Sequence, residues 1–328
     1  MRPIEKLMAD VVTNEDPRIR TDRLDTIFGP DLTVRSTELS TTEQILAAAS
    51  DARALVVDVS IPVPEVVFEN CEQLEVVARA GAGVDNIDIQ AADDHDVTVV
   101  NVPTYCTEEV STHAVTLLLN SLRRIKTYDR SVENAEWDWT AGQPVQRLST
   151  QTVGFHSFGG LARRTAEKLA GFGCDLVAAD PYVDEEVMDE YGVEPVSFYE
   201  MLEVADHISV HAPLTDETHH LFDREVFEQM SETGVLVNVG RGPIVDEEAL
   251  VWALDNGEIA AAGVDVLEEE PPEASPLTGR EDVIVTPHSA FYSEQSVTDL
   301  NEHIANDILA VFAGDEPKGF IDPTSMWN

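Results

Sequence analysis

Residues 153–164, VGFHSFGGLARR, put small residues where an apolar run gives way to a helical pattern. The chemistry such a turn performs is phosphate binding: backbone N–H groups and the positive end of the following helix face a pyrophosphate. The spacing G-x-G-x-x-G falls on Ser157, Gly159 and Ala162, with Phe158, Gly160 and Leu161 between and beside them. Gly159, where backbone must approach phosphate, is intact, and Ala is accepted at the third place. A left-handed Ser157 would cost about 1–3 kcal/mol, roughly tenfold to a hundredfold in affinity if borne on binding. Asp180 lies 21 positions beyond Gly159, close to the spacing of about 20 for a carboxylate that binds ribose hydroxyls. Pro181 and Tyr182 follow it instead of Arg or Lys, which favours NAD over NADP.

Three later stretches carry further reactive side chains: NVGRGPIVDEEAL with Arg241, GVDVLEEEPP with Asp265 and Glu270, and TPHSAFYSEQ with His288. Each follows a run that reads as a parallel strand, at the sheet edge where open α/β folds bind ligands. Taken singly, an Arg, Glu or His in such a place is more often a structural ion pair or cap. Cys71, Cys106 and Cys174 have no metal-ligand spacing, and a reducing compartment suits them better than a disulfide framework.

The elements that must position these residues are short β-branched runs at 54–59, 74–80, 97–102, 152–155, 175–180, 207–211, 234–240, 261–266 and 282–287. Continuous apolar strands alternating with helical patterns predict parallel sheets covered on both faces. The fold class expected is α/β, two Rossmann-like doubly wound parallel-sheet domains with a cleft between them. Residues 107–126 read as one long helix, with Thr107 as its cap and Arg123, Arg124 and Lys126 at its negative end. A polar, aromatic arm with Trp137 and Trp139 follows.

The 328 residues carry 63 acidic and 20 basic side chains, a net charge of -43, and only Lys6, Lys126, Lys168 and Lys318 are lysines. Nucleic acid and anionic membrane surfaces are thereby excluded as partners, because both need clustered cations. The acid is spread among well-patterned apolar segments, so disorder is excluded too. The composition is read as adaptation to molar salt, where screening falls to about 3 Å. The N-terminus lacks a long apolar leader segment, and a soluble, cytoplasmic protein is expected.

ARAGAGVDNIDI at 78–89, NVPTYCTEEV at 101–110, LSTQTVGF at 148–155, HAPLTDET at 211–218, NVGRG, DVLEEEP and TPH together resemble the D-2-hydroxyacid dehydrogenase family over nearly the whole chain. The C-terminal-binding protein and phosphoglycerate dehydrogenase-like branches are the most similar, here in a halophile. The resemblance implies an NAD-dependent oxidoreductase interconverting a D-2-hydroxy acid and its 2-keto acid. It implies His288 as acid/base, Glu270 as its partner and Arg241 as the carboxylate clamp. Imidazole suits proton transfer near neutral pH, and guanidinium suits bidentate binding of carboxylate. Gly81, Ala82 and Gly83, with Arg79 beside them, would receive the substrate carboxylate. Pro213 and Thr218 would lie along the cofactor, and Asp265 would hold the nicotinamide carboxamide.

The same resemblance implies a substrate domain of 1–105 plus 300–328, an NAD-binding domain of 106–299, and a homodimer through the long helix and tryptophan arm. No metal is expected. The alternative reading is an NAD(H)-sensing protein of the C-terminal-binding type with weak or no turnover. His113, His156, His207, His211, His219, His220 and His303 are read as structural or surface residues, and Tyr105, Phe291 and Tyr292 as pocket or core.

Overall fold

The computed structural model describes residues 10–324; residues 1–9, where most of the stretch read for a leader falls, and 325–328 with Trp327 lie outside the described residues. The chain divides into two compact units, Met1–Cys106 with Ser293–Asn328, and Thr107–Tyr292. Each is a parallel sheet with helices on both faces.

In the first unit the strands are β1 (Val11–Asn14), β2 (Val34–Thr37), β3 (Ala54–Val57), β4 (Val76–Arg79) and β5 (Thr98–Val100), in the spatial order β2-β1-β3-β4-β5. Four helices lie between these strands, α1 (Thr21–Phe28), α2 (Thr42–Ala49), α3 (Glu65–Asn70) and α4 (Ile89–Asp94). Successive strand residues feed opposite faces. Val12, Leu55, Val57, Val77 and Val99 pack with Ile45 and Phe68, while Val11, Ala54, Val56, Val76 and Ala78 pack with Leu24, Leu300, Ile304 and Ile308.

The second unit has β6 (Thr152–His156), β7 (Asp175–Ala179), β8 (Glu194–Pro195), β9 (His207–Val210), β10 (Val235–Asn238), β11 (Ala261–Val264) and β12 (Val283–Val285), ordered β12-β11-β10-β9-β6-β7-β8. Its helices are α5 (Thr107–Leu122), α6 (Ile125–Glu133), α7 (Gly160–Leu169), α8 (Glu185–Glu190), α9 (Phe198–Val204), α10 (Arg224–Phe227) and α11 (Glu247–Asn256). A last helix, α12 (Glu294–Ala313), returns to the first unit and carries Leu300, Ile304 and Ile308. The two doubly wound sheets agree with the fold class expected from the apolar runs. In each sheet the strand order reverses once, between β1 and β3 and between β6 and β9, and these are the switch points where such sheets open a crevice.

Two expectations need correction. Residues 107–126 are not one helix: α5 begins at Thr107 itself and ends at Leu122, and Arg124 adopts a left-handed conformation (φ 54°) before α6. The cations therefore do not sit in the last turn of a long helix. Arg124 Nη1 donates to the Ala260 carbonyl at 2.7 Å, and Lys126 Nζ donates to the carbonyls of Arg280 and Val283, both at 2.7 Å. Strands β1, β2 and β8 also escaped the apolar pattern. β8 is two residues long, β2 is a half-exposed edge, and β1 is buried throughout but ends in Thr13 and Asn14.

Candidate active site

The glycine turn leaves β6 at the switch point of the second sheet. Ser157 holds φ 71°, with its N–H donating to the Ala179 carbonyl at 3.0 Å and its hydroxyl to Asp180 Oδ2 at 3.1 Å. The Phe158 N–H donates to the same oxygen at 2.7 Å, and Tyr182 N–H to Oδ1 at 2.9 Å. Gly159 precedes α7 with no side-chain cap, so the first N–H groups of the helix are left to another partner. Gly159 and Gly160 are exposed, and a Cβ added to either would meet no atom within 4 Å. Phe158 and Ala162 are fully buried and seat α7 on the sheet, while Leu161 is half-buried. An uncapped helix start beneath open space, with a carboxylate at the next strand end, fits the pyrophosphate and ribose of a dinucleotide.

α7 is fastened to α5 through a lysine. Lys168 Nζ donates to Ser111 Oγ, Thr112 Oγ1 and the Glu108 carbonyl, each at 2.7 Å, so Ser111 and Thr112 dock α7 on α5. On the far side of the crevice, Thr218 Oγ1 donates to the Pro213 carbonyl at 2.7 Å and accepts from Thr215 N–H at 2.8 Å. The loop after β9 thus closes on itself and brings Pro213 and Thr218 together.

Three histidines lie on or beside the central strands: His156 ends β6, His207 begins β9 and His211 follows β9. His156 is wedged edge-on between Phe198 (5.3 Å between centroids) and Phe222 (5.6 Å), and among the described residues neither of its ring nitrogens has a hydrogen-bond partner. Burial pushes its pKa down to about 4. His207 is bonded to Gln151 Oε1 and Val235 N–H, and burial lowers it to about 4; His211, bonded to Ser209 Oγ, falls to about 3 by burial and by the nearby His156. Among the described residues no group of His, Cys, Asp or Glu could hold a metal ion.

Arg241, Glu270 and His288 come from the loops after β10, β11 and β12. Asn238 shapes the first: its Oδ1 accepts from Gly240 N–H and its Nδ2 donates to the Arg241 carbonyl, both at 3.0 Å. Gly242 lies so close to the backbone of Leu267 and Glu268 that a Cβ there would collide with it. This contact sets the Arg241 loop against the segment leading to Glu270. Glu270 Oε1 accepts from Leu267 N–H at 2.9 Å and Oε2 meets His288 Nδ1 at 2.6 Å. Burial opposes the charge on Glu270, but the hydrogen bond and charge of His288, the Leu267 N–H and Arg241 outweigh it and hold the carboxyl below its ordinary range.

His288 is itself left-handed (φ 49°). The following N–H groups of Ser289 and Ala290 donate to Asp265 Oδ1 and Oδ2, each at 2.9 Å, and Thr286 Oγ1 donates to Oδ1 at 2.5 Å. With its proton committed to Asp265, Thr286 Oγ1 accepts from His113 Nε2 at 2.9 Å. Asp265 therefore secures the loop that carries His288. Gly242, Thr286 and His113 were missed as site residues, since nothing local in the sequence signals contacts across such separations.

In the first unit, Arg79 ends β4, is 5% exposed, and donates from Nη1 to the Ala80 carbonyl at 2.9 Å. Its guanidinium fills the space that a Cβ on Gly81 (φ 146°) would need. The loop is pinned where Gly81 O accepts from Val102 N–H at 2.9 Å and Ala82 O from Asn101 Nδ2 at 2.5 Å. Gly83 is half-buried beside it.

Two outcomes follow for stability. Ser157 is held left-handed by bonds within the fold, so its strain is borne on folding. Ser157→Gly should unfold at higher urea than Ser157→Ala, by about 1 kcal/mol, because only Ala keeps the left-handed penalty. The depressed histidines act in the acid limb: between pH 6.5 and about 4 the unfolded chain binds protons that the folded chain refuses, so stability falls as pH drops through that window. His156→Leu should flatten the dependence by about one proton in pH-stepped urea melts, or about 1.4 kcal/mol per pH unit, and an unchanged slope would place the proton uptake elsewhere.

Residues 115–290 match the family model described as D-isomer specific 2-hydroxyacid dehydrogenase, NAD binding domain. The chain is 36% identical over 276 residues to D-3-phosphoglycerate dehydrogenase of Methanocaldococcus jannaschii, covering 84% of this chain but only 52% of that protein. It is 35% identical to glyoxylate reductase of Korarchaeum cryptofilum, covering 85% of each. The chain thus spans about half the length of the phosphoglycerate dehydrogenase relatives and most of the glyoxylate reductase. Among solved structures, D-lactate dehydrogenase of Aquifex aeolicus complexed with NAD and lactic acid superposes with a TM-score of 0.87 at 25% identity, over 95% of this chain and 98% of that one. By these matches the chain belongs to the D-isomer specific 2-hydroxyacid dehydrogenase family, and its second unit holds that family's NAD-binding domain.

Proposed function

We propose that this chain is an NAD-dependent reductase of 2-keto acids, working on a D-2-hydroxy acid in the reverse direction. The observation that carries the reading is the His288–Glu270 pair at 2.6 Å, with Glu270 held by the Leu267 N–H and facing the charge of Arg241. A protein that needs only the fold has no evident use for this arrangement.

The turn of Ser157, Phe158, Gly159, Gly160 and Leu161, with Asp180 for the ribose, would hold NADH, and the chemistry that group would supply is a hydride for C2 of the keto acid. Glu270 occupies Nδ1 of His288, which leaves Nε2 to deliver a proton to the forming alkoxide and to take it back in the reverse reaction. Arg241 binds the substrate carboxylate and polarises the ketone. In the first unit, Arg79 and the Gly81, Ala82 and Gly83 backbone would offer a cation and N–H groups to a carboxylate. Pro213 and Thr218 line the cofactor. Asp265 already accepts two hydrogen bonds on Oδ1 and one on Oδ2, which leaves one acceptor site on Oδ2 for the carboxamide.

We assign the working form as a homodimer in a salt-rich cytoplasm. Trp137 and Trp139 are 92% and 75% exposed, and Val132 and Ile125 of α6 also face solvent. Exposed large apolar side chains gathered in residues 125–139 support an interaction surface there, and a second copy is the partner the family resemblance implies. Among the described residues no helix is long and apolar enough to cross a membrane.

NADH absorbance followed in concentrated KCl with glyoxylate, hydroxypyruvate, pyruvate and larger 2-keto acids should fall with at least one of them. His288→Ala and Glu270→Gln should each lower kcat/KM by about 10²–10⁴ while NADH binding persists. NADH binding without turnover of any 2-keto acid would replace this reading by the sensing one. A Trp137→Ser, Trp139→Ser double variant should sediment as a monomer at concentrations where the parent is dimeric.

A further inference from the structure

The first sheet reverses its strand order between β1 and β3, and the ends of those strands hold a charge cluster apart from the residues assigned above. Asn14, the last residue of β1, donates from Nδ2 to Asp58 Oδ2 at 2.6 Å and accepts from Leu39 N–H at 3.0 Å. Asp58 follows β3 and is 2% exposed; its Oδ1 accepts the N–H and hydroxyl of Ser60, both at 2.6 Å. Arg18 grips Asp16 in bidentate fashion, Nε to Oδ1 at 2.7 Å and Nη2 to Oδ2 at 2.6 Å, and Nη2 lies 3.8 Å from Asp58 Oδ2. Burial opposes the charge of Asp16, but the Arg18 fork more than offsets it. Two carboxylates thus share one guanidinium, and one negative charge is left over.

The cluster is rigidly built. The fully buried Asn301 of α12 accepts from Arg20 N–H and donates to the Arg18 carbonyl, both at 2.7 Å, clamping the backbone on either side of Ile19. Asn86 Nδ2 donates to the carbonyls of Asp58 (2.9 Å) and Ile61 (2.6 Å), fixing the loop after β3. The cluster also borders the Arg79 loop: Val57 pairs with Arg79 in register, and Ala80 N–H donates to the Val57 carbonyl at 2.7 Å, which sets Asp58 beside Ala80 and Gly81. The half-buried Tyr105 feels the positive charges of both Arg79 and Arg18.

We propose that Asp58, Asp16 and Arg18 restrict the substrate to 2-keto acids with a single anionic group: Arg79 meets the one carboxylate, and the surplus negative charge rejects a phosphate or second carboxylate on the side chain. The proposal rests on the reading of Gly81, Ala82 and Gly83 as the carboxylate loop. Like charges about 6 Å apart at an effective dielectric near 20 change affinity by roughly a hundredfold, and a buried pair is screened less by salt than an exposed one.

The test compares pyruvate and hydroxypyruvate with oxaloacetate and 3-phosphohydroxypyruvate on the full chain in concentrated KCl. The parent should favour the monoanions by at least about thirtyfold in kcat/KM. Asp58→Asn should narrow that ratio about tenfold, mainly through KM of the dianions, and Asp58→Glu should restore it. A parent that prefers the dianions, or an Asp58→Asn protein with an unchanged ratio and a native melting transition, overturns the proposal. If no keto acid is reduced, the dehydrogenase reading fails separately. Titration calorimetry of D-lactate against D-malate on the NADH-loaded protein then judges the charge rule, and equal affinities refute it. Should Asp58→Asn not fold, Asp16→Asn carries the same comparison.

Discussion

Asp265 is a carboxylate with 2% exposure in a chain already crowded with negative charge, and the second unit is arranged around keeping it satisfied. Burying such a group is costly unless donors surround it. Here the donors are a hydroxyl and two consecutive backbone N–H groups, a small anion-binding concavity of the kind that needs a left-handed residue at its start. That residue is His288. The conformation that aims the imidazole at Glu270 is therefore a by-product of solvating Asp265, and Thr286 and His113 extend the same network into α5.

The strands at sheet centres were legible because burial on both faces demands uninterrupted apolar runs. β1 was not, although it is central, because Asn14 is used there for a side-chain bond to Asp58 instead of for packing. The break between α5 and α6 was hidden for a related reason. Arg123, Arg124 and Lys126 look like favourable C-terminal charges, but their geometry is decided by carbonyls of Ala260, Arg280 and Val283 far along the chain. Of the candidate site, residue types at strand ends were readable in order. The parts that orient them, Gly242 against Leu267 and Asn301 across Ile19, exist only once the chain has folded.

Ser157 shows how a departure from a pattern can be absorbed. A glycine there would only have permitted the turn. The serine hydroxyl joins Phe158 N–H on one oxygen of Asp180, and so couples the start of α7 to the end of β7. The strain at φ 71° and this added bond oppose one another in the folded state.

The attachment of α6 has a different kind of consequence. Arg124 and Lys126 bind neutral carbonyl oxygens at 2.7 Å, contacts that do not depend on counter-charges elsewhere on the surface. Ionic atmosphere weakens attraction between separated charges, whereas a donor already in van der Waals contact with its acceptor leaves no room for intervening ions. Of the contacts that moor the segment bearing the exposed tryptophans, these carbonyl bonds therefore resist added salt, whereas the exposed Arg130–Glu281 pair of α6 weakens with it.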